Sequence, residues 1–230
     1  MELKEILRGK RISILGDSLS SYEGVSNNAN MNATIGKNPA YYGKKVPLEL
    51  NDTWWMRLIN KYEMVLCVNN SWSGGLLYNH LQPFDDNFAS GEYRANYLAD
   101  NDGNLPEIII VFMGVNDLWH AIGWEEFGGA FERTLDTIAA KYPNAEVFCV
   151  GQPDRDEDLI LRAKKYREAM LKEISDHGKH FHFVDLFNSV LKNEVYFANT
   201  LDEHKLHLSS SGMKLLAEII ESSLKELERN

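Results

Sequence analysis

Five short runs of apolar residues recur along the chain, and they predict the strands of a sheet. The runs are RISILGD (11–17), MVLCVNN (64–70), EIIIVFMG (107–114), AEVFCVGQ (145–152) and HFHFVDLF (180–187). Their hydrophobicity is nearly continuous rather than alternating, which is typical of strands covered on both faces. We therefore predict five strands that lie between two layers of helices.

Between these runs the apolar positions change to helical spacing. Helical patterns occupy residues 52–62, where Asp52 or Thr53 could cap the first turn, and then 124–142, 154–175 and 209–227. In the closing pattern one face carries Leu215, Leu216, Ile219, Ile220 and Leu224. Alternating strands and helices predict an α/β fold, a three-layer α/β/α sandwich whose five-stranded sheet is mainly parallel.

Two segments interrupt this alternation. A long loop insertion at about residues 19–52 is rich in Asn, Gly and Tyr, and a second irregular stretch runs from about 78 to 106. Loops of this length in a compact domain are usually functional or disordered. Both follow the carboxyl ends of predicted strands, where α/β sheets place their binding crevice.

Composition limits the classes of partner. A chain of 230 residues suits one domain spanning 1–230 that buries its core without disulfides or metals. The net charge of -10, with no long basic run, argues against nucleic acid and against an anionic membrane surface as partners. We expect a small-molecule partner, and the sequence leaves the oligomeric state open.

The cysteines and the apolar runs indicate a compartment. Cys67 and Cys149 lie in predicted strands and are expected to be free core thiols. No stretch has the length and apolarity of a signal peptide or a membrane span. The expectation is a cytoplasmic protein, or a secreted one if a leader has been removed.

Three consecutive strand ends carry groups that could act together in catalysis. Ser18 in GDSLS follows the first strand, Gly74 in NNSWSGG the second and Asn116 in GVND the third. A serine at such a turn can expose its hydroxyl, a glycine lets a backbone N–H approach a ligand closely, and an asparagine can donate from its amide. Taken singly, each could equally be a turn residue or a helix cap.

Together with HLSSSG near the other end of the chain, these blocks resemble the SGNH/GDSL hydrolase family. GDSLS, NNSWSG, GVND and HLSSSG appear in the family's order and cover nearly the whole chain. The resemblance implies a flavodoxin-like sheet of the SGNH hydrolase type and a serine nucleophile at Ser18. It makes His207 the general base and assigns the oxyanion hole to Ser18, Gly74 and Asn116. No G-x-S-x-G elbow is present to favour the other α/β hydrolase fold.

The chain departs from the family pattern D-x-x-H, because His204 stands where the acid is expected. A neutral histidine could accept a hydrogen bond from His207 but supplies no negative charge. The orienting group could be Asp202 or Glu203, a backbone carbonyl, or Asp185 at the end of the fifth predicted strand. We favour Asp202, because the loop NTLDEHK can bulge without moving the helix that follows.

The spacing H-x-x-H also raises the question of a metal. His204 and His207 could share one ion, with Asp202 or Glu203 as oxygen ligands. No matching His or Cys pair stands elsewhere, since His180 and His182 lie on a predicted strand and are expected to be partly exposed. We therefore predict neither a metal nor a cofactor.

Aromatic residues near the four blocks suggest a substrate. Trp72 and Trp119 follow catalytic blocks and Tyr42 lies in the insertion, so we predict that these three contact the substrate, although aromatic residues near strand ends more often pack in the core. Aromatic faces with amide groups suit sugars. The prediction is a serine esterase that hydrolyses a small acyl ester through an acyl-enzyme on Ser18, with an O-acetylated carbohydrate as one candidate. The alternative is a ligand-binding relative weakened by the missing acid at position 204.

Overall fold

A parallel sheet of five strands forms the centre of the protein. The computed structural model describes residues 1–26, 40–44, 46–78, 90–153, 159–202 and 205–229. The strands are β1 (Arg11–Gly16), β2 (Val65–Ser71), β3 (Ile108–Phe112), β4 (Glu146–Val150) and β5 (Phe181–Val184). They lie in the order β2-β1-β3-β4-β5, and every pairing is parallel. The predicted three-layer fold is confirmed, and the sheet is parallel throughout.

Helices cover both faces of this sheet. They are α1 (Leu3–Leu7), α2 (Trp54–Tyr62), α3 (Gly91–Arg94), α4 (Val115–Trp119), α5 (Trp124–Lys141), α6 (Ile160–His177), α7 (Asn193–Ala198) and α8 (Ser210–Leu224). The helices α1, α2 and α8 contribute to one apolar core and α5 and α6 to another. The sheet separates the two cores, because successive side chains of a strand point to opposite faces.

The central strands explain the continuous apolar runs. In β3, Ile108 and Ile110 belong to the core on one face, whereas Ile109 and Val111 belong to the core on the other. The edge strands differ from the expectation, since Val65 at the start of β2 is exposed and β5 is buried at alternate positions only. Burial on both faces therefore holds for β1, β3 and β4, the three inner strands of the sheet.

Side-chain caps fix the starts of two predicted helices. Thr53 Oγ1 accepts a hydrogen bond from the Met56 N–H and begins α2, so Thr53 rather than Asp52 is the cap. Ser209 Oγ accepts from the Gly212 N–H at the start of α8. Each cap satisfies an N–H that has no partner within its helix. The described part of the predicted helix at 154–175 begins at Ile160, and residues 154–158 lie outside the described residues.

The two cysteines and one histidine of the sheet are buried to different degrees. Both cysteines are free; Cys149 is buried, whereas Cys67 is only partly buried. His182 was expected to be partly exposed but is buried, with Nε2 2.7 Å from a Glu146 carboxylate oxygen and Nδ1 3.3 Å from one of Glu226. Across the described ranges no helix has the length and apolarity needed to cross a bilayer.

Strand order places the predicted site. The strand β1 lies between β2 and β3, so the segments that leave the carboxyl ends of all three emerge side by side. In open α/β sheets a crevice forms where successive connections diverge to opposite sides in this way. The blocks that contain Ser18, Gly74 and Asn116 follow these three strands and therefore meet at one edge.

Candidate active site

Ser18 lies in a tight turn immediately after β1. The Asp17 carboxylate accepts a hydrogen bond from the Leu19 N–H at 3.0 Å, and the Ser18 carbonyl accepts one from the Ser21 N–H at 3.3 Å. At Gly16 a Cβ would lie 2.6 Å from Ser20 Cβ, so only glycine allows the turn to fold back onto the end of the strand. The turn leaves Ser18 only 3% exposed.

Ser18, His207 and Asp202 form a continuous hydrogen-bonded relay. The Ser18 Oγ atom lies 3.0 Å from His207 Nε2, and His207 Nδ1 contacts Asp202 Oδ2. The side chains of His207 and Asp202 are 12% and 15% exposed, so little water reaches the contact between them. This arrangement allows His207 to take the serine proton while the carboxylate stabilises the resulting imidazolium.

The loop before His207 accommodates an acid five residues upstream instead of three. Asp202 Oδ1 accepts from the Leu206 N–H at 2.8 Å, and the Asp202 carbonyl accepts from the Lys205 N–H at 3.0 Å. Lys205 has a φ of 51°, the left-handed conformation that lets the chain turn back toward the carboxylate. Burial would raise the pKa of Asp202, but the bonds from the Leu206 N–H and from His207 outweigh it, and the pKa lies below its ordinary value.

The other candidates for the orienting group are placed differently. Asp185 binds Arg167 through Nε and Nη2 and also accepts from Asn188, so it is engaged away from His207. Glu203 and His204 lie outside the described residues. The contact partner of His207 Nδ1 is thus the Asp202 carboxylate rather than a backbone carbonyl, and its role as the orienting acid in catalysis stays a prediction.

The predicted oxyanion donors lie on the neighbouring strand ends. The loop after β2 is tied to β1 by the bond from the Trp72 N–H to the Gly16 carbonyl, and Gly74 in this loop has a φ of 76°. Across the residues that the structure describes, neither the Ser18 N–H nor the Gly74 N–H has an intramolecular acceptor. These two N–H groups are thus available to an anion at the sheet edge.

Asn116 is held in α4 beside this loop. Its Nδ2 atom donates to the Gly75 carbonyl at 3.0 Å, which fixes the amide; the contact with Asp17 Oδ2 at 3.4 Å is longer than a usual hydrogen bond, so the second N–H can serve an oxyanion. The helix follows Gly114, whose φ of 111° admits the turn. A Cβ at Gly114 would also lie 2.9 Å from Gln152 Nε2. The side-chain amide therefore adjoins both Asp17, next to the serine, and the loop that carries Gly74.

A buried polar layer beneath these turns was not anticipated from the sequence. Arg94, fully buried in the irregular stretch, donates from Nη1 to the carbonyls of Gly16 and Asn70 at the ends of β1 and β2. Burial raises the pKa of the nearby Asp17 to about 7 despite the charge of Arg94. A buried guanidinium satisfies two strand-end carbonyls at once and so fixes the spacing of the two loops.

Asp117, the neighbour of Asn116 in the chain, binds the backbone of the loop that follows β2. Its two carboxylate oxygens accept from the N–H groups of Leu77 at 2.8 Å and Tyr78 at 2.9 Å. The side chain is fully buried, and burial raises the pKa of Asp117 to about 6 although both backbone bonds act in the opposite direction. Asp117 was visible in the GVND block, but nothing in the sequence indicated its partners.

The aromatic residues predicted to contact substrate occupy different environments. Tyr42 is 1% exposed and donates its hydroxyl to the Leu208 carbonyl, so it has no open face, and the prediction that it contacts substrate does not fit this packing. Trp119 is 59% exposed at the end of α4, and Trp72 is partly buried in the loop that carries Gly74. A contact between substrate and either tryptophan stays a prediction.

Tyr41, rather than Tyr42, stacks on the histidine. Its ring lies face to face with the imidazole of His207, with centroids 3.4 Å apart and an interplanar angle of 10°. In the sequence, the adjacent Tyr41 and Tyr42 indicated only that one of them could face the site, because neighbours in an extended segment point to opposite sides. No group of three or more His, Cys, Asp and Glu residues suited to an ion occurs in the described part of the chain, which leaves out Glu203 and His204, and the absence of a metal stays a prediction.

Comparison with known proteins identifies the family. The profile of the GDSL-like lipase/acylhydrolase family matches residues 10–224. No curated protein sequence matches the chain. Among solved structures, a protein from Bacteroides ovatus described as a GDSL-like lipase has a TM-score of 0.71 at 22% identity, covering 95% of this chain and 99% of that one.

Two esterases of known structure are also similar. The psychrotrophic esterase from Pseudoalteromonas, solved with monoethylphosphonate as inhibitor, has a TM-score of 0.60 at 17% identity, covering 96% of this chain and 100% of its own. The family two carbohydrate esterase from Clostridium thermocellum, solved with cellohexaose, has a TM-score of 0.63 at 15% identity, covering 96% of this chain and 65% of that one. At these identities the likeness is one of fold. The match over nearly the whole chain agrees with the four sequence blocks, and the protein belongs to the GDSL-like lipase/acylhydrolase family of carboxylic ester hydrolases.

Proposed function

We propose that the protein is a serine esterase that transfers a small acyl group from an ester to Ser18 and then to water. The observation that carries the proposal is the relay from Ser18 Oγ through His207 to Asp202. A hydroxyl is a weak nucleophile until an adjacent base takes its proton. Here the base is in hydrogen-bond reach, and its second nitrogen is oriented by an acid.

The reaction would proceed in two balanced halves. Ser18 Oγ attacks the ester carbonyl while His207 Nε2 takes the hydroxyl proton, and the carbonyl oxygen becomes an oxyanion held by the Ser18 N–H, the Gly74 N–H and the Asn116 amide. Collapse breaks the bond to the alcohol oxygen, which receives the proton from His207. Water then attacks the acyl-enzyme, gives a proton to His207 and releases the carboxylic acid as Ser18 regains its hydrogen.

The limited access to the nucleophile supports a small acyl group. Ser18 is almost fully enclosed, and the stacked ring of Tyr41 covers one face of His207. A long acyl chain needs an extended apolar channel that leads to the serine. We therefore expect acetyl and other short esters to react faster than long ones.

An O-acetylated carbohydrate is the substrate that we propose for the alcohol side. Trp119 and Trp124 are exposed near the end of the segment that carries Asn116, and exposed indole faces suit the apolar faces of sugar rings. A similar fold in a carbohydrate esterase solved with cellohexaose adds support. Trp119→Ala should raise KM for an acetylated oligosaccharide and leave KM for p-nitrophenyl acetate unchanged. If Trp119→Ala and the wild type have the same KM for the oligosaccharide, the sugar proposal is wrong.

The first test is labelling of the intact protein by a fluorophosphonate, read by mass. Labelling of the wild type that disappears in both Ser18→Ala and His207→Ala would support an activated serine. Thermal melting of each variant checks that it is folded. A wild-type protein that neither labels nor hydrolyses p-nitrophenyl acetate would refute the proposal and favour a ligand-binding relative.

A further inference from the structure

Tyr41 connects the two distant parts of the chain that form the relay. Its backbone N–H donates to Ser21 Oγ at 2.8 Å, and Ser21 Oγ donates to the Ser18 carbonyl at 3.1 Å. Its side chain reaches the other end of the relay, where the hydroxyl donates to Asp202 Oδ2 at 3.2 Å and the ring stacks on His207. One residue of the insertion thus contacts the nucleophile turn, the base and the acid.

The stacked ring restricts how His207 can move. An imidazole attached only through Nδ1 and Nε2 can still tilt about the line that joins those two bonds. A parallel ring at 3.4 Å blocks tilting on one side, and the ring of Tyr42 approaches edge-on at 6.3 Å. The imidazole plane that points Nε2 at Ser18 is therefore fixed by packing as well as by hydrogen bonds.

The hydroxyl acts on the acid. Asp202 Oδ2 accepts from three groups, namely His207 Nδ1, the His207 N–H and the Tyr41 hydroxyl. Because the tyrosine donates to the same oxygen that pairs with the imidazole, it takes up part of the charge of the carboxylate and restricts rotation of the carboxylate group. Burial, and to a smaller extent the charge of Asp202, raises the pKa of Tyr41 to about 12. The hydroxyl therefore remains a donor across the working range of an esterase.

We propose that Tyr41 is a positioning residue for the acyl-transfer reaction, holding His207 and Asp202 in the geometry that activates Ser18. This inference rests on the proposed function. Tyr41 acts through the imidazole and the carboxylate and is not assigned a contact with substrate. Its contribution therefore belongs to turnover and to the titration of His207 rather than to substrate binding.

Titratable and charged groups near His207 in the described part of the chain include the Asp202 carboxylate, the hydroxyls of Tyr41 and Tyr42, the Tyr196 hydroxyl that donates to the Leu206 carbonyl, and the Lys205 ammonium that lies over the Phe197 ring. Asp17 precedes Ser18 in the chain, and burial raises the pKa of Asp17 to about 7, within the working range of an esterase. Of these side chains, Tyr41 contacts both the acid and the imidazole. A change at Tyr41 should therefore alter the pH profile of the reaction directly.

The experiment compares Tyr41→Phe and Tyr41→Leu with the wild type over pH 5 to 9, using p-nitrophenyl acetate. Phenylalanine keeps the stack and removes the hydroxyl, so we expect kcat to fall roughly 3- to 10-fold. The acid limb of kcat/KM should also move up by roughly half a pH unit, because the freed carboxylate pairs more strongly with the imidazolium. Leucine removes the stack as well, and we expect a fall of roughly 10- to 100-fold in kcat. KM should stay within about twofold of the wild-type value in both variants, because neither change removes a contact with the bound substrate.

Tyr22→Phe is the matched control. Tyr22 lies in the same insertion and donates its hydroxyl to the Leu48 carbonyl rather than to a member of the relay, so loss of that hydroxyl should leave kcat and the acid limb unchanged. Thermal melting of all variants separates a loss of fold from a loss of geometry. Wild-type kcat and an unmoved acid limb in Tyr41→Phe would overturn the proposal, and so would a change in KM alone, which indicates a contact with substrate.

A spectroscopic readout keeps this inference separate from the proposed function. The proton shared by His207 Nδ1 and Asp202 should give a low-field NMR signal that is absent in His207→Ala. Tyr41→Phe should shift the signal and Tyr22→Phe should not. If the wild type neither labels nor hydrolyses esters, the proposed function fails, whereas an unshifted signal in Tyr41→Phe refutes the positioning role whether or not the protein is active.

Discussion

Replacement of Asp202 by asparagine tests the relay most directly. The change keeps the size of the side chain and the Oδ1 bond to the Leu206 N–H, but it places an uncharged amide against His207 Nδ1. An amide nitrogen in that position donates, so the imidazole must adopt the tautomer in which Nε2 carries the proton. That tautomer cannot accept the proton of Ser18.

The magnitude follows from the charge that is lost. An imidazolium and a carboxylate about 4 Å apart attract by about 4 kcal/mol at an effective dielectric constant of about 20. About 1.4 kcal/mol corresponds to a tenfold change in rate, so loss of the charge alone predicts a fall in kcat of about a thousandfold. The wrong tautomer adds to this, and the corresponding change in a serine protease triad costs roughly 10⁴-fold. We therefore expect kcat to fall by about 10³- to 10⁴-fold.

The assay is kcat for p-nitrophenyl acetate together with the rate of fluorophosphonate labelling at Ser18. The matched control is Asp185→Asn, which removes another loop carboxylate but one that binds Arg167, and it should retain wild-type kcat. Both proteins are melted to confirm that they are folded. If Asp202→Asn keeps kcat within threefold of the wild type, the relay is wrong and the orienting group is Glu203 or a backbone carbonyl.

Three further outcomes are expected. Asn116→Ala removes one oxyanion donor and should lower kcat by roughly 10²- to 10³-fold with little change in KM; a change confined to KM would assign Asn116 to binding instead. His204→Asp should leave kcat within about threefold, because Asp202 already faces Nδ1, whereas a large gain would mean that the acid is missing. Because the pKa of Asp117 is about 6 when folded, above its ordinary value, the folded state binds more protons between about pH 4 and 6, and the free energy of unfolding should fall as pH rises through that window. Asp117→Asn should reduce this slope, to which the raised pKa of Asp17 also contributes, by at most about 1.4 kcal/mol per pH unit in denaturant titrations; an unchanged slope would contradict the assignment.

The strands, and the groups that follow them, could be predicted from short stretches of the sequence. Apolar runs identified all five strands, and the runs of the three inner strands are the most continuous because those strands are buried on both faces. The blocks after β1, β2 and β3 predicted that Ser18, Gly74 and Asn116 lie close together, because the carboxyl ends of parallel strands meet at one edge. His207 follows none of these three strands and was assigned through the family resemblance. Among the candidates for the acid, Asp202 was favoured on loop flexibility, and the structure shows how the left-handed Lys205 permits that choice.

Contacts between irregular segments could not be predicted. Arg94 stands in a stretch without periodicity, so nothing marked it as the buried cation that holds the ends of β1 and β2. The roles of Tyr41 and Tyr42 were likewise hidden. Adjacent residues face opposite sides, and only tertiary packing decides that Tyr41 stacks on His207 while Tyr42 enters the core.

The bond between Ser18 and His207 joins residues 189 positions apart in the chain. During synthesis the nucleophile leaves the ribosome long before its base exists, and the sheet can begin to form around an inert serine. At roughly 5 to 20 residues per second, this interval lasts on the order of ten seconds or more. Esterase activity would then report the last step of maturation, and a nascent chain that stalls before His207 should be unable to react with the fluorophosphonate.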